Sequence, residues 1–233
     1  LWDGETVAFN GEHLSLENAR LEQIPAVRPQ IYFGGSSPAA GKVAARHADV
    51  YLTWGEPPAA VAEKVEWIRK LAADEGRQVK FGIRMHVINR DTADEAWDEA
   101  DRLLSHMSPQ AIAKVQAGLA QSESEGQRRM LDLHAGRSDK LEIYPNVWAG
   151  IGLVRGGAGT ALVGSHEEVA DRIQEYASVG IEEFVLSAYP HLEGAYAFGE
   201  GVLPILAERG VWTPPTELAT VRAGVPFASF GGA

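Results

Sequence analysis

The chain of 233 residues is 45% hydrophobic and 23% charged, the make-up of one ordinary soluble domain with a buried core, which sets aside disorder as its main state. A net charge of −11 opposes a nucleic-acid partner, because neutralising phosphates needs a clustered basic surface. No window approaches the ~18 uninterrupted apolar residues of a membrane span, Leu1-Trp2-Asp3-Gly4 does not open as a signal peptide, and the absence of cysteine excludes disulfides and thiolate metal sites; these features fit a cytoplasmic protein whose redox chemistry would need a borrowed cofactor.

The chain starts with leucine in the middle of what reads as structured sequence, so a fragment is expected. Thr6 to Leu16 places Asn10-Gly11 between short apolar runs, the signature of a tight hairpin turn. Ile31-Tyr32-Phe33 reads as a buried strand ending at Gly34-Gly35, followed by a helix over Pro38 to His47 with Ser37 as cap and proline at its first position. The unit repeats: strand Val50 to Trp54, then a helix whose Val61, Val65, Ile68 and Ala72 share a face, closed by Gly76. A third strand, Val79 to Ile88, leads to a helix opened by the capping box Thr92/Glu95, with Ala96, Leu103, Leu104 and Met107 apolar.

Ser108 to Lys140 is helical in pattern but studded with Gly, Ser, Gln and charge, and Gly150 to Gly164 is glycine-rich and predicted flexible; residues 108–164 read as an insertion with a mobile lid loop. The repeat resumes with a capping box at Ser165/Glu168, a helix carrying Val169, Ile173 and Tyr176, closure at Gly180, strand Phe184 to Tyr189 and a helix around Tyr196 to Arg209; the tail after Pro214-Pro215 reads as loop. Such alternation predicts a single α/β domain with parallel strands and right-handed crossovers. Four units plus an insertion are the C-terminal half of a (β/α)8 TIM barrel, which takes about 250 residues when complete, with an open doubly wound sheet as the alternative.

In Val79 to Ile88, Arg84 and His86 share a face with Gly82, opposite Phe81, Ile83, Met85 and Val87. Parallel strands covered by helices have no wet side, so Arg84 and His86 should point into the barrel, either as a structural ion pair or as working groups. Val185, Ser187 and Tyr189 repeat the pattern, with His191 just beyond Pro190; Trp54 ends its strand where barrel active sites sit, as core packing or as a platform for a flavin ring. Gly35, Ser36 and Ser37 precede a helix and could converge on a phosphate, although any strand-to-helix turn offers this. Arg155 lies in Val154-Arg155-Gly156-Gly157-Ala158-Gly159-Thr160, either a mobile surface residue or a cation brought over a bound anion. Gly41-Lys42 fails as a P-loop because Val43 stands where Ser or Thr is needed, Gly150/Gly152 fails as a dinucleotide fingerprint at Arg155, and His166-Glu167-Glu168 lacks the second histidine of a zinc helix, so no metal site is expected.

Five blocks in order, Tyr32-Phe33-Gly34-Gly35-Ser36-Ser37, Tyr51 to Pro58, Phe81 to Val87, Trp148 to Gly164 and Phe184 to His191, closely resemble the alkanesulfonate monooxygenases of the bacterial luciferase-like superfamily, over nearly the whole chain to about Trp212. The resemblance implies a two-component enzyme: a separate NAD(P)H-dependent FMN reductase supplies reduced FMN (FMNH2), used with oxygen to convert an alkanesulfonate to an aldehyde and sulfite. It implies Trp54, Arg84, His86, Tyr189 and His191 lining the site, Arg155 on the closing loop, Arg84 and His86 holding the sulfonate and the reacting flavin, Ser36 and Ser37 facing the FMN phosphate, and a homo-oligomer. Proton donor and base stay open among Arg84, His86 and Tyr189. The family's N-terminal part is missing, so residues 1–233 alone are expected to show no turnover. The alternatives are a sulfone or alkane monooxygenase, a deazaflavin oxidoreductase, or a flavin-binding barrel without catalysis.

Overall fold

The computed structural model describes residues 1–214; the predicted tail loop after Pro214-Pro215 lies outside them. An antiparallel hairpin, β1 (Val7–Asn10) and β2 (Ser15–Ala19), precedes the main sheet. Its turn is wider than the Asn10-Gly11 pattern predicts: Asn10 pairs with Ser15 and the Gly11 N–H donates to Leu14 O at 2.9 Å, so Gly11 to Leu14 form the loop.

The repeat follows as β3 (Tyr32–Phe33), α1 (Pro38–His47), β4 (Val50–Trp54), α2 (Pro58–Asp74), β5 (Lys80–Arg90) and α3 (Ala93–Ser105). Ser37 caps α1 by accepting from Ala40 N, and the Thr92/Glu95 capping box opens α3. The insertion contributes α4 (Pro109–Leu119), α5 (Glu125–His134), β6 (Glu142–Tyr144), β7 (Val147–Trp148) and the short α6 (Ile151–Val154). Then come β8 (Ala161–Ser165), α7 (His166–Ser178) behind its Ser165/Glu168 capping box, β9 (Glu183–Ser187), α8 (His191–Ala197), a π turn (Phe198–Val202) and α9 (Leu203–Glu208). The last helical stretch starts five residues earlier than Tyr196 because Pro190 stands at the N-cap of α8.

The segment predicted to be a flexible glycine loop holds a strand instead. Residues 161–165 of β8 lie inside Gly150 to Gly164 and its flank, and Ala161, Leu162 and Val163 are fully buried. The glycines masked a three-residue apolar run too short for periodicity to report.

β5 organises the sheet. It pairs in parallel with β4 through residues 80–84, with β9 through 82–86 and with β8 through 86–90. Its even-numbered residues turn their backbone groups to β4 and then β8 (Lys80 N to Asp49 O, 3.0 Å; His86 N to Thr160 O, 2.9 Å), while Phe81 O accepts from Glu182 N on the opposite edge. β8 therefore continues the edge that β4 leaves, and β7 and β6 extend it antiparallel. The arc β3-β4-β5-β9 with its helices is a curled half of a (β/α)8 barrel, as predicted, with the insertion before the last strand.

The arc packs its convex face on the helices. Phe81, Ile83, Met85 and Val87 join Tyr51, Val61, Val65, Ile68, Val169, Ile173 and Tyr176 in one buried cluster. Even positions face the concave side, where Tyr32, Val185 and Tyr189 are 46%, 41% and 38% exposed. Ile83 is fully buried between Thr53 and Phe184 in the register. Ile83→Ala is expected to lower unfolding stability by about 2–5 kcal/mol, measured by urea titration, through lost transfer energy plus the cavity left behind.

Candidate functional site

The parallel register brings the strand ends to one rim. Trp54, last residue of β4, stands beside Arg84 in β5, and His86, one pleat higher, stands beside Ser187, last residue of β9. Two adjoining sites form there.

The first is a cleft of about 280 Å³ lined by Gly34, Gly35, Ser36, Leu52, Trp54, Lys64, Arg84, Ser124 and Gly126, with Tyr51 and Thr53. Its walls are the turn before α1, the indole of Trp54 and the first turn of α5. Gly34 is required by close approach, since a Cβ there would meet Leu52 O at 2.7 Å. Ser37 does not join this lining; its hydroxyl oxygen accepts from Ala40 N at 3.2 Å, although its own proton remains available to donate. Arg84 is exposed and makes no ion pair among the described residues, so the structural ion pair considered for it is not observed there.

The second site centres on His86, which is 2% exposed. Its Nδ1 lies 3.1 Å from Ser187 Oγ, its ring stacks on Tyr189 with centroids 5.3 Å apart, and Tyr189 meets His191 edge-on at 5.2 Å. Arg155 Nη1 donates to Tyr189 OH at 2.7 Å. Burial first, then the positive charges of Arg155 and Arg84, lower the His86 pKa to about 4. The imidazole is therefore neutral near pH 7, and its buried Nε2 has no hydrogen-bond partner among the described residues. A neutral imidazole, two guanidiniums and a phenol can hold an anion and move a proton.

The loop carrying Arg155, predicted to be a mobile lid, is hydrogen-bonded to the insertion helices. Gln127, buried in α5, accepts from Gly157 N at 3.0 Å, and Gln116 Nε2 donates to the carbonyls of Gly152 and Leu153 at 2.9 Å each. Gly157 sits at φ +89°, which only glycine adopts readily.

Sequence reasoning passed over the groups behind the cleft. Glu56, 2% exposed, accepts from Lys64 Nζ at 2.5 Å and from Arg129 Nε and Nη2 at 2.9 and 2.5 Å. Burial pushes the Glu56 carboxyl up, but Arg129 and Lys64 outweigh it and hold it below its ordinary value. One signal existed for Lys64: it sits between Val61, Val65 and Ile68 on the apolar stripe of α2, where a cation is out of place. Nothing local marked Arg129, Gln127, Ser124 or Gly126, because the insertion reaches the site only through tertiary packing.

Residues 1–183 match the family described as luciferase-like monooxygenase. Among solved structures, the chain is similar to the riboflavin lyase RcaE with modified FMN and riboflavin, at 24% identity and TM-score 0.69 over 91% of this chain and 50% of that one. It is similar to the long-chain alkane monooxygenase LadA, at 22% identity and TM-score 0.66 over 90% and 48%. A third likeness is to the EDTA monooxygenase EmoA from Chelativorans sp. BNC1, at 19% identity and TM-score 0.62 over 91% and 54%. The chain thus spans about half the length of these structures, and at such identities the likeness is one of fold.

The neutral state of His86 has a measurable consequence. With its pKa lowered from 6.5 to about 4, the unfolded chain takes up the proton first as pH falls. Stability present above the unfolded pKa is lost between about pH 6.5 and pH 4, approaching about 3 kcal/mol from this group alone. Denaturant titrations across that range should show the slope, and His86→Gln should flatten it.

Proposed function

The chain belongs to the luciferase-like monooxygenase family, and on that premise we propose that it forms the C-terminal half of a reduced-FMN-dependent alkanesulfonate monooxygenase. The overall reaction balances as alkanesulfonate, O2 and FMNH2 giving aldehyde, sulfite, FMN, water and a proton. The observation that carries this reading is the gathering of two guanidiniums, Arg84 and Arg155, around a buried neutral His86 with no carboxylate paired to either among the described residues, a local positive field that suits an anionic substrate.

Flavin fits the cleft beside them. Trp54 gives a flat apolar wall for a ring system, and the turn Gly34-Gly35-Ser36 with the α1 N-terminus gives donors for a phosphate. Bound there, reduced flavin would supply the electrons that activate oxygen. Arg84 lies between cleft and His86 and would orient the sulfonate with Arg155, whose side chain Tyr189 holds by its hydroxyl. His86, held by Ser187, and Tyr189 are the groups placed to exchange protons with the substrate. The tie from Gln127 to Gly157 keeps the Arg155 loop near the site. A separate NAD(P)H-dependent FMN reductase would deliver the reduced flavin to a cytoplasmic homo-oligomer.

The test is sulfite release by the full-length protein from linear alkanesulfonates, with a flavin reductase, NADPH, FMN and air, and with alkanes and a dialkyl sulfone in parallel. Sulfite release that depends on reduced FMN and drops at least about a hundredfold in Arg84→Ala, the loss of a charge-assisted contact on an anion, is the expected outcome. Turnover of the alkane or sulfone without sulfite from any sulfonate would overturn the substrate assignment.

A further inference from the structure

The charges behind the cleft do not balance. Glu56 faces both Lys64 and Arg129, so one carboxylate meets two cations. Glu125, whose field also reaches Lys64 and Arg129, is paired with Arg128, and that pair adds nothing to the sum. Glu63, which also acts on Arg129, is exposed and screened by solvent.

Arg129 grips the carboxylate with a two-pronged contact, whereas Lys64 holds one oxygen and Thr53 Oγ1, at 3.3 Å. The cluster thus keeps a net positive charge, and its member that lines the cleft is the lysine, which is 7% exposed. A buried cation that shares its one carboxylate with an arginine is costly, and a methionine or leucine would complete the apolar stripe of α2 at less expense. Retaining a lysine there makes physical sense if an anion enters the cleft. Its surroundings agree: the turn before α1 and the first turn of α5, each the positive end of a ten-residue helix, open onto the same space.

We propose that Lys64 is the phosphate-binding cation of this cleft, and that its charge makes the site select a phosphorylated flavin over an unphosphorylated one. The inference rests on the flavin reading above and adds to it a residue on α2 and a basis for choosing between flavins. Glu56 and Arg129 set how much charge the lysine presents: the carboxylate offsets the ammonium in part, and Arg129, sharing that carboxylate, keeps it from neutralising the lysine fully.

The experiment titrates full-length protein with FMN and with riboflavin, following quenching of flavin fluorescence, for wild type, K64M, K64R and E56Q. Wild type should prefer FMN by at least about tenfold. K64M should lose that preference while its riboflavin affinity stays within about twofold, and K64R should restore most of it. Equal weakening of both flavins in a folded K64M makes Lys64 merely structural and overturns the proposal, as does a wild type that binds both flavins equally. A wild type that binds neither flavin instead defeats the flavin reading itself. Should K64M fail to fold, E56Q decides, since it leaves the lysine and removes its competing carboxylate: the FMN preference should rise at least about threefold, and an unchanged or smaller ratio overturns the proposal.

Discussion

The strict period of two along β5, a strand held on both edges by parallel partners, is the constraint on which the rest depends. Because its backbone groups are committed sideways to β4, β8 and β9, no residue of β5 can rotate from one face to the other without breaking the ladder. Odd positions go to the helix layer and even positions to the concave side. Arg84 and His86 owe their place to this alternation, and the register then sets Trp54 and Ser187 beside them.

That alternation is also what made half of the site readable. Ionisable residues on every second position of an otherwise apolar strand contradict the composition of a parallel sheet, and the contradiction pointed to function. Helix ends were equally legible, since Ser37, Thr92 and Ser165 act through hydrogen bonds of three residues' reach. What stayed hidden is non-local. Arg129 lies 73 positions from Glu56, and Gln127 lies 30 from the loop it holds, so no window of sequence contains both partners. β8 was missed for another reason: its hydrogen bonds to β5 come from pairing and leave no imprint on a short run flanked by glycine.

The insertion turns out to be structural for the site. Within ten residues, α5 sets Gly126 against the Trp54 ring, Gln127 on the Gly157 amide, Arg129 on Glu56 and His134 beside Gly152. Each contact reaches a different part of the rim, so a small displacement of α5 would disturb cleft, loop and charge together. The segment just after β4 is gripped in the same manner: Thr160 Oγ1 donates to Gly55 O and Tyr176 OH donates to Glu56 O, both at 2.7 Å. These buried bonds leave little freedom to the carboxylate that organises Lys64 and Arg129.

β5 is eleven residues long, about twice the length of its barrel neighbours β4 and β9, and β8 pairs with its upper half, from His86 to Arg90, on the edge that β4 has left. The insertion is thus built onto an overhanging strand, and the wall below keeps its own register whatever is attached above. A change in the insertion would therefore reach the cleft through the side chains of α5, while the backbone ladder of β4, β5 and β9 beneath it stays as it is.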